Sequence, residues 1–272
     1  MTFSTNEMFG IENKVIVVTG GCGGIGGGLA EILAKLGAKV AIIARNQAKI
    51  DAKVAAIKEA SGNAEVFGAA ADIVDLTSVR RAMEAIYDHF GSIYGLVNCA
   101  GTTHVEYLST MSIDDWQAVM DANVRGTVIC AKVAGEYMRK NHLGRVINFT
   151  SLASTHGKPQ YTAYTPSKAA VDGFTFTLAA EWARLGITVN AVGPAFFLSE
   201  MTRKQWAGKE DQLAGINELN PQGRSCSPEL LSGLVVFLLS ESASYINGQV
   251  IGCDGGLTRG DITMFKPEMP QE

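Results

Sequence analysis

The sequence predicts a single α/β domain: a doubly wound parallel sheet of about seven strands with helices on both faces. Three observations predict it. Short β-rich runs alternate with longer helical patterns along the whole chain. The strand candidates are continuous apolar runs, as expected where helices cover both faces of a parallel sheet. No repeat, low-complexity tract or linker divides the 272 residues, so one domain is the simplest arrangement.

The elements follow in order. The first strand is Val15–Thr19, and a glycine-rich stretch leads from it into a helix over 25–36. Strand Val40–Ala44 precedes a helix over 47–60, strand Glu65–Ala71 one over 76–90, and strand Ile93–Asn98 one over 113–140. Strand Val146–Thr150 leads to a helix over 162–184, and Thr188–Val192 to one over 228–240. That last helix opens on Ser227-Pro228-Glu229, an N-cap serine with proline and an acid in the first turn. Gln249–Cys253 is the closing strand. The domain is expected over 10–258, with terminal extensions at 1–9 and 259–272. Residues 194–222 follow a strand end and have mixed helical character, as a lid over a pocket would.

Composition excludes several function classes. A net charge of −4 offers no electrostatic footprint for nucleic acid. The longest strongly apolar run, Leu234–Leu239, is far short of the ~20 residues a membrane span needs. The N-terminus lacks the basic start and apolar run of a secretory signal. Five scattered cysteines (22, 99, 130, 226 and 253) without a Cys-x-x-Cys suit reduced thiols and a cytoplasmic location. Four histidines (89, 104, 142 and 156) show no metal-ligand spacing, so no catalytic metal is expected.

The first strand runs into Gly20-Gly-Cys-Gly-Gly-Ile-Gly-Gly-Gly28. Gly20, Gly24 and Gly26 permit a tight turn, close approach of backbone to a pyrophosphate, and close packing of the next helix. The helix N-terminus then offers unpaired N–H groups and a favourable dipole to phosphate. The end of the second strand reads Ile43-Ala44-Arg45-Asn46, without the acid that a ribose 2′-hydroxyl calls for. Arg45 suits a 2′-phosphate instead, so NADP(H) is favoured over NAD(H). The bland alternative is that Arg45 caps a solvated loop, and the glycine loop itself holds no basic residue.

Ser151, Tyr164 and Lys168 form the second constellation. Tyr164 and Lys168 are spaced i and i+4, on one helix face. A cation there favours the phenolate, and Ser151 follows a strand end, where open α/β sheets place ligands. Tyr-x-x-x-Lys alone is weak, since both residues are common on helix surfaces. Tyr161 lies one turn earlier, but Thr165 occupies the position four beyond it, so no lysine supports it.

With these motifs in order, the chain resembles the short-chain dehydrogenase/reductase family over about residues 10–258, a Rossmann-fold family. Thr19-Gly20-Gly-Cys22-Gly-Gly24-Ile25-Gly26 matches its nucleotide loop. Asp72-Ile73 resembles the acidic pair that contacts adenine, and Asn98-Cys99-Ala100-Gly101 its Asn-Asn-Ala-Gly turn, with cysteine in place of the second Asn. Asn123 matches the asparagine of a catalytic tetrad completed by Ser151, Tyr164 and Lys168. Cys253-Asp254-Gly255-Gly256 resembles the family's closing strand and turn. Pro194-Ala195 departs from the family's Pro-Gly, which questions the local backbone, while Ser199 keeps the hydroxyl of a threonine that touches the nicotinamide carboxamide.

The resemblance implies hydride exchange by the cofactor and proton exchange by Tyr164. Lys168 would lower the Tyr164 pKa and bind the nicotinamide ribose, and Ser151 would orient the substrate oxygen. Asn123 would interrupt the helix and hold a relay water. It also implies a small alcohol or carbonyl substrate and a homotetramer built on the helix from about Thr162 to Trp182. His104, His156, Phe196, Phe197, Met201 and Trp206 are substrate-pocket candidates, the aromatic ones equally readable as core-facing. Lys158 and Gln160 sit between Ser151 and Tyr164. Polar side chains there suit a sugar acid, polyol or small keto compound, and Pro194–Met201 resembles the gluconate 5-dehydrogenase-like branch. A 3-oxoacyl thioester is the main alternative, followed by a bulky ketone. A non-catalytic dinucleotide sensor and a glycine-loop methyltransferase are rivals of other classes; neither explains Asn123, Ser151, Tyr164 and Lys168 together.

Overall fold

A computed structural model describes residues 4, 8–197, 214–215 and 217–258. Seven strands form one sheet in the order β3-β2-β1-β4-β5-β6-β7, every neighbouring pair parallel. They are β1 (Val15–Thr19), β2 (Lys39–Ala44), β3 (Val66–Ala70), β4 (Gly95–Asn98), β5 (Gly144–Phe149), β6 (Ile187–Pro194) and β7 (Val250–Cys253). The helices are α1 (Gly24–Lys35), α2 (Gln47–Ser61), α3 (Leu76–Phe90), α4 (Ile113–Met120), α5 (Gly126–Lys140), α6 (Tyr164–Trp182) and α7 (Pro228–Leu239). The chain moves outward from β1 to β3, then returns to lay β4 against the other side of β1. Ligands of open α/β sheets bind at the crevice this reversal opens.

Side-chain alternation explains why the strands read as unbroken apolar runs. In β1, Val15 and Val17 join one core layer with α3, α5 and α6. Ile16 and Val18 join the opposite layer with α1, α2 and α7. Both faces are covered, so every β1 position is buried, each aliphatic side chain contributing roughly 1.5–3 kcal/mol. All eight residues of β6 are buried for the same reason.

Helix ends follow local chemistry. Asn46 accepts from the Lys49 N–H at the start of α2, Asp75 from Thr77 at α3, and Ser112 from Asp115 at α4. The expected single helix over 113–140 is interrupted: Asp121–Arg125 forms a π-helical segment between α4 and α5. A wider turn of this kind cannot be read from apolar periodicity, and such turns often mark functional sites. The 194–222 segment lies largely outside the described residues, as do the terminal extensions apart from residues 4, 8 and 9.

Candidate active site

The glycine loop sits at the C-terminal ends of β1 and β2. The Gly20 N–H donates to the Ile43 carbonyl at 2.9 Å, which folds the loop over the β2 end. Gly20 has φ +69°, and a Cβ there would lie 3.0 Å from the Ala100 backbone. A Cβ on Gly26 would lie 2.7 Å from the Gly20 carbonyl oxygen, so the first turn of α1 packs against the loop only without side chains. Gly23 caps α1 with no side-chain hydrogen bond, and nothing lies within 4 Å of where its Cβ would be. The start of α1 is thus uncapped by any side chain and open around Gly23, an arrangement that fits a pyrophosphate. Cys22 and Ile25 pack against the core on one side of this cradle, as partly buried neighbours.

Other predicted nucleotide contacts have varied placements. Arg45 is exposed at the end of β2 and forms no salt bridge among the described residues. Asp72 is exposed and accepts from the Val74 N–H at 3.2 Å. Ile73 packs over Gly126, where a Cβ would come within 2.5 Å of its Cδ1, so it also holds α5 in place. The Asn98 side chain is buried and donates to Asn148 Oδ1 at 2.9 Å, tying β4 to β5, while its Oδ1 has no partner among the described residues. The Ala100 N–H donates to Thr19 Oγ1 at 3.1 Å, joining the β4 turn to the β1 end. Pro194 pairs with Cys253 in the sheet. Ala195 is not among the positive-φ residues, so glycine is not required there and the departure from Pro-Gly carries no backbone strain. Ser199 lies outside the described residues.

The four tetrad candidates converge at the C-terminal ends of β4 and β5. Ser151 follows β5 by two residues, accepts from the Ala153 N–H at 3.1 Å and lies close enough to Tyr164 to act on its phenol. Tyr164 opens α6, and the Lys168 ammonium lies 5.6 Å from its ring centroid. Lys168 is buried and donates to the Phe149 carbonyl at 2.8 Å. Asn123 lies in the π-helical segment and is fully buried. Its amide donates to the Thr102 carbonyl and to Ser167 Oγ, both at 2.9 Å, and accepts from the Thr102 N–H at 2.7 Å. Gly101 permits this approach: a Cβ there would lie 2.7 Å from Asn123 Oδ1 and 3.6 Å from Lys168 Nζ. Tyr161 stands apart from the pair, its ring 6.0 Å from that of Tyr164 and beneath the Lys158 ammonium at 4.6 Å.

The electrostatics differ in one respect from the expectation. Burial pushes the Tyr164 phenol above its ordinary value, and Ser151 opposes that rise. The ammonium of Lys168 is engaged by the Phe149 carbonyl, and the net effect on Tyr164 is upward. Lys168 itself is lowered to about 8, chiefly by burial, with Cys99 and Asp172 opposing. At neutral pH the ground state pairs a phenol with an ammonium.

Among the substrate candidates, His104 pairs with Glu106 at 2.7 Å, and the Glu106 N–H donates to the Gln160 carbonyl, which brings this loop alongside Tyr161. Hydrogen bonding to His104 holds the Glu106 carboxyl below its usual range. His156 is exposed and bonded to Thr155. Phe197 packs against the core and pairs with Cys226, while Phe196 accepts from the Cys226 N–H. Met201 and Trp206 lie outside the described residues. Donor atoms of His104, Glu106 and Asp115 lie within 4.8 Å of one another, a grouping that residue spacing did not reveal. The His104–Glu106 pair and the Ser112–Asp115 cap account for it.

Sequence reasoning missed Thr102 and Ser167, the residues that hold Asn123. Ser167 adjoins Lys168 in the chain and also donates to the Tyr164 carbonyl at 2.7 Å. Only its neighbourhood to the motif could have suggested it.

A glycine cradle on one side of the sheet reversal and a Ser-Tyr-Lys cluster on the other define a dinucleotide-dependent oxidoreductase of the Rossmann class. A family model described as enoyl-(acyl carrier protein) reductase matches residues 20–258. The chain is 35% identical to the short-chain reductase protein NovJ of Streptomyces niveus, over 93% of this chain and 97% of that protein. It is 34% identical to D-threitol dehydrogenase of Mycolicibacterium smegmatis, over 92% and 95%. It is 37% identical to a 3-oxoacyl-[acyl-carrier-protein] reductase of Synechocystis, over 92% and 99%. A solved actinorhodin polyketide ketoreductase with NADPH superposes with a TM-score of 0.86 at 28% identity, over 91% of this chain and 98% of that one. The chain belongs to the short-chain dehydrogenase/reductase family. It is an NAD(P)-dependent oxidoreductase that interconverts alcohols and ketones.

Proposed function

We propose that this enzyme prefers NADP(H) and acts on the secondary alcohol or ketone of a small polar compound: a sugar acid, a polyol or a small keto compound. The observation that carries the catalytic assignment is the buried Lys168 ammonium 5.6 Å from the Tyr164 ring, with Ser151 acting on the same phenol. Tyr164, Ser151, Lys168 and Asn123 are the working residues in this reading, and the glycine loop with Arg45, Asp72 and Ala100 holds the nucleotide. When bound, the dinucleotide supplies or accepts the hydride.

Tyr164 does the proton work. Burial keeps its phenol protonated, so it donates to a carbonyl oxygen in reduction and recovers the proton in oxidation. Ser151 holds that oxygen and stabilises the charge that develops on it. One Lys168 proton is engaged by Phe149, leaving two donors for a ribose hydroxyl and for charge developing on Tyr164. Both Asn123 amide hydrogens are committed, to the Thr102 carbonyl and Ser167 Oγ, so this side chain holds the π-helical segment against the Thr102 loop and α6.

Arg45 supports NADP(H), since no described carboxylate claims its guanidinium and no acid stands at the end of β2. The polar groups of His104, Lys158 and Gln160 beside Tyr161 support a polar substrate, as does likeness to a D-threitol dehydrogenase. A 3-oxoacyl thioester is the second reading, favoured by the likeness to a 3-oxoacyl reductase. The exposed face of α6, with Ala169, Gly173 and a half-exposed Phe176, supports a homotetramer. Five free thiols suit a cytoplasmic location, and no helix among the described residues is long and apolar enough to cross a membrane. A kinetic screen of polyols, sugar acids and 3-oxoacyl thioesters, with NADPH and NADH side by side, tests cofactor and substrate together. Equal or better turnover with NADH would remove the NADP(H) preference, and turnover confined to thioesters would select the second reading.

A further inference from the structure

Two carboxylates are buried among the described residues, and they differ sharply. Asp254 accepts from the Gly256 and Thr258 N–H groups and anchors the turn after β7. Asp172, 8% exposed, has an Oδ1 with no hydrogen-bond partner among the described residues. A buried, incompletely bonded carboxylate is costly unless an opposite charge compensates it.

The nearest candidate for that charge is on the same helix, although the two groups form no direct ion pair. Lys168 and Asp172 are spaced i and i+4 on the buried stripe of α6, with Ser167, Val171 and Thr175. Helical side chains lean toward the N-terminus, so Asp172 covers the turn of Lys168 while the lysine stem covers the turn of Tyr164. The other groups facing the ammonium are the Phe149 carbonyl, the Cys99 thiol at the end of β4, the Tyr164 ring, and the Asn123 amide across Gly101. Burial raises both Cys99 and Tyr164 above their ordinary values, so both are neutral at physiological pH. Asp172 is then the sole described anion among the groups that act on Lys168.

We propose that Asp172 is a positioning residue whose carboxylate is the counter-charge that keeps Lys168 an ammonium beneath Tyr164. This rests on the tetrad reading and extends it by one residue. The helix thus carries acid, cation and counter-charge on three successive turns, as Tyr164, Lys168 and Asp172.

The test is the pH profile of kcat/KM for ketone reduction in the wild type, Asp172→Asn and Asp172→Glu. Removing the charge should move the alkaline limb down by about one pH unit or more. At pH 8 the loss should reach about fivefold and should shrink toward pH 6, where the lysine is largely charged in both proteins. Asp172→Glu should restore the wild-type profile. An Asp172→Asn profile that superimposes on the wild type, or one lowered equally at every pH, overturns the proposal. Should Asp172→Asn fail to fold, Asp172→Ser carries the same expectation. Tyr164→Phe and Lys168→Met, run alongside, separate the two levels: activity in these variants defeats the tetrad reading, whereas their inactivity with an unmoved Asp172→Asn profile defeats only the counter-charge.

Discussion

Replacing Lys168 by Met should abolish turnover and reverse part of the protein's pH-dependent stability. The Lys168 pKa falls from an ordinary value of 10.5 to about 8 on folding, mainly because burial penalises the ammonium. Between those values the unfolded chain holds more protons than the native one, so wild-type stability rises with pH across that window. The slope is about 1.4 kcal/mol per pH unit, which makes the native-state penalty roughly 3 kcal/mol below pH 8. Lys168→Met has no such proton to lose. It does strand the Phe149 carbonyl, at a pH-independent cost of about 1–3 kcal/mol. The stability difference, variant minus wild type, should therefore fall by about 3 kcal/mol between pH 7 and pH 10.5, whatever its starting value. Urea denaturation of both cofactor-free proteins at one-unit pH intervals measures it. A difference that stays flat over this range would refute the argument that Lys168 is charged against a burial penalty.

Other perturbations follow from the same geometry. Gly26→Ala places a methyl 2.7 Å from the Gly20 carbonyl and should weaken NADPH binding at least about tenfold in a fluorescence titration. Unchanged affinity would show that the loop is not the phosphate cradle. Ser167→Ala removes an acceptor from Asn123 and should lower kcat roughly fivefold with the NADPH Kd unchanged. Arg145 is buried beneath Tyr94, donates to the Gly144 carbonyl and pairs with Glu241 at 3.1 Å. Because Glu241 is half exposed and can rehydrate, the cost of Arg145→Ala comes from the orphaned carbonyl and the cavity. It should be about 2–4 kcal/mol, read from the urea midpoint at constant m.

Much of the fold was legible because its signals are local. The apolar runs became seven strands with ends shifted by a few residues at most, and Ser227-Pro228 opens α7 as its capping chemistry requires. The glycine loop was equally legible, since Gly20 and Gly24 adopt positive φ, a local demand that glycine meets without strain. Periodicity failed at Asp121–Arg125, where one helical pattern hides a π-helical segment fixed by contacts of Asn123 with Thr102 and Ser167. At Phe197 residue type left pocket lining and core packing both open, and the structure packs the ring against the core.

The chain alone therefore determined which chemical groups are available: a tyrosine, a lysine and a serine at set spacing, glycines where phosphate must approach, and an arginine where an acid was absent. Tertiary structure decided their states. Burial, a property of the packed whole, keeps Tyr164 a phenol and lowers Lys168. It also leaves one Asp172 oxygen without a hydrogen-bond partner among the described residues, because desolvation depends on every neighbour in space and on few in sequence.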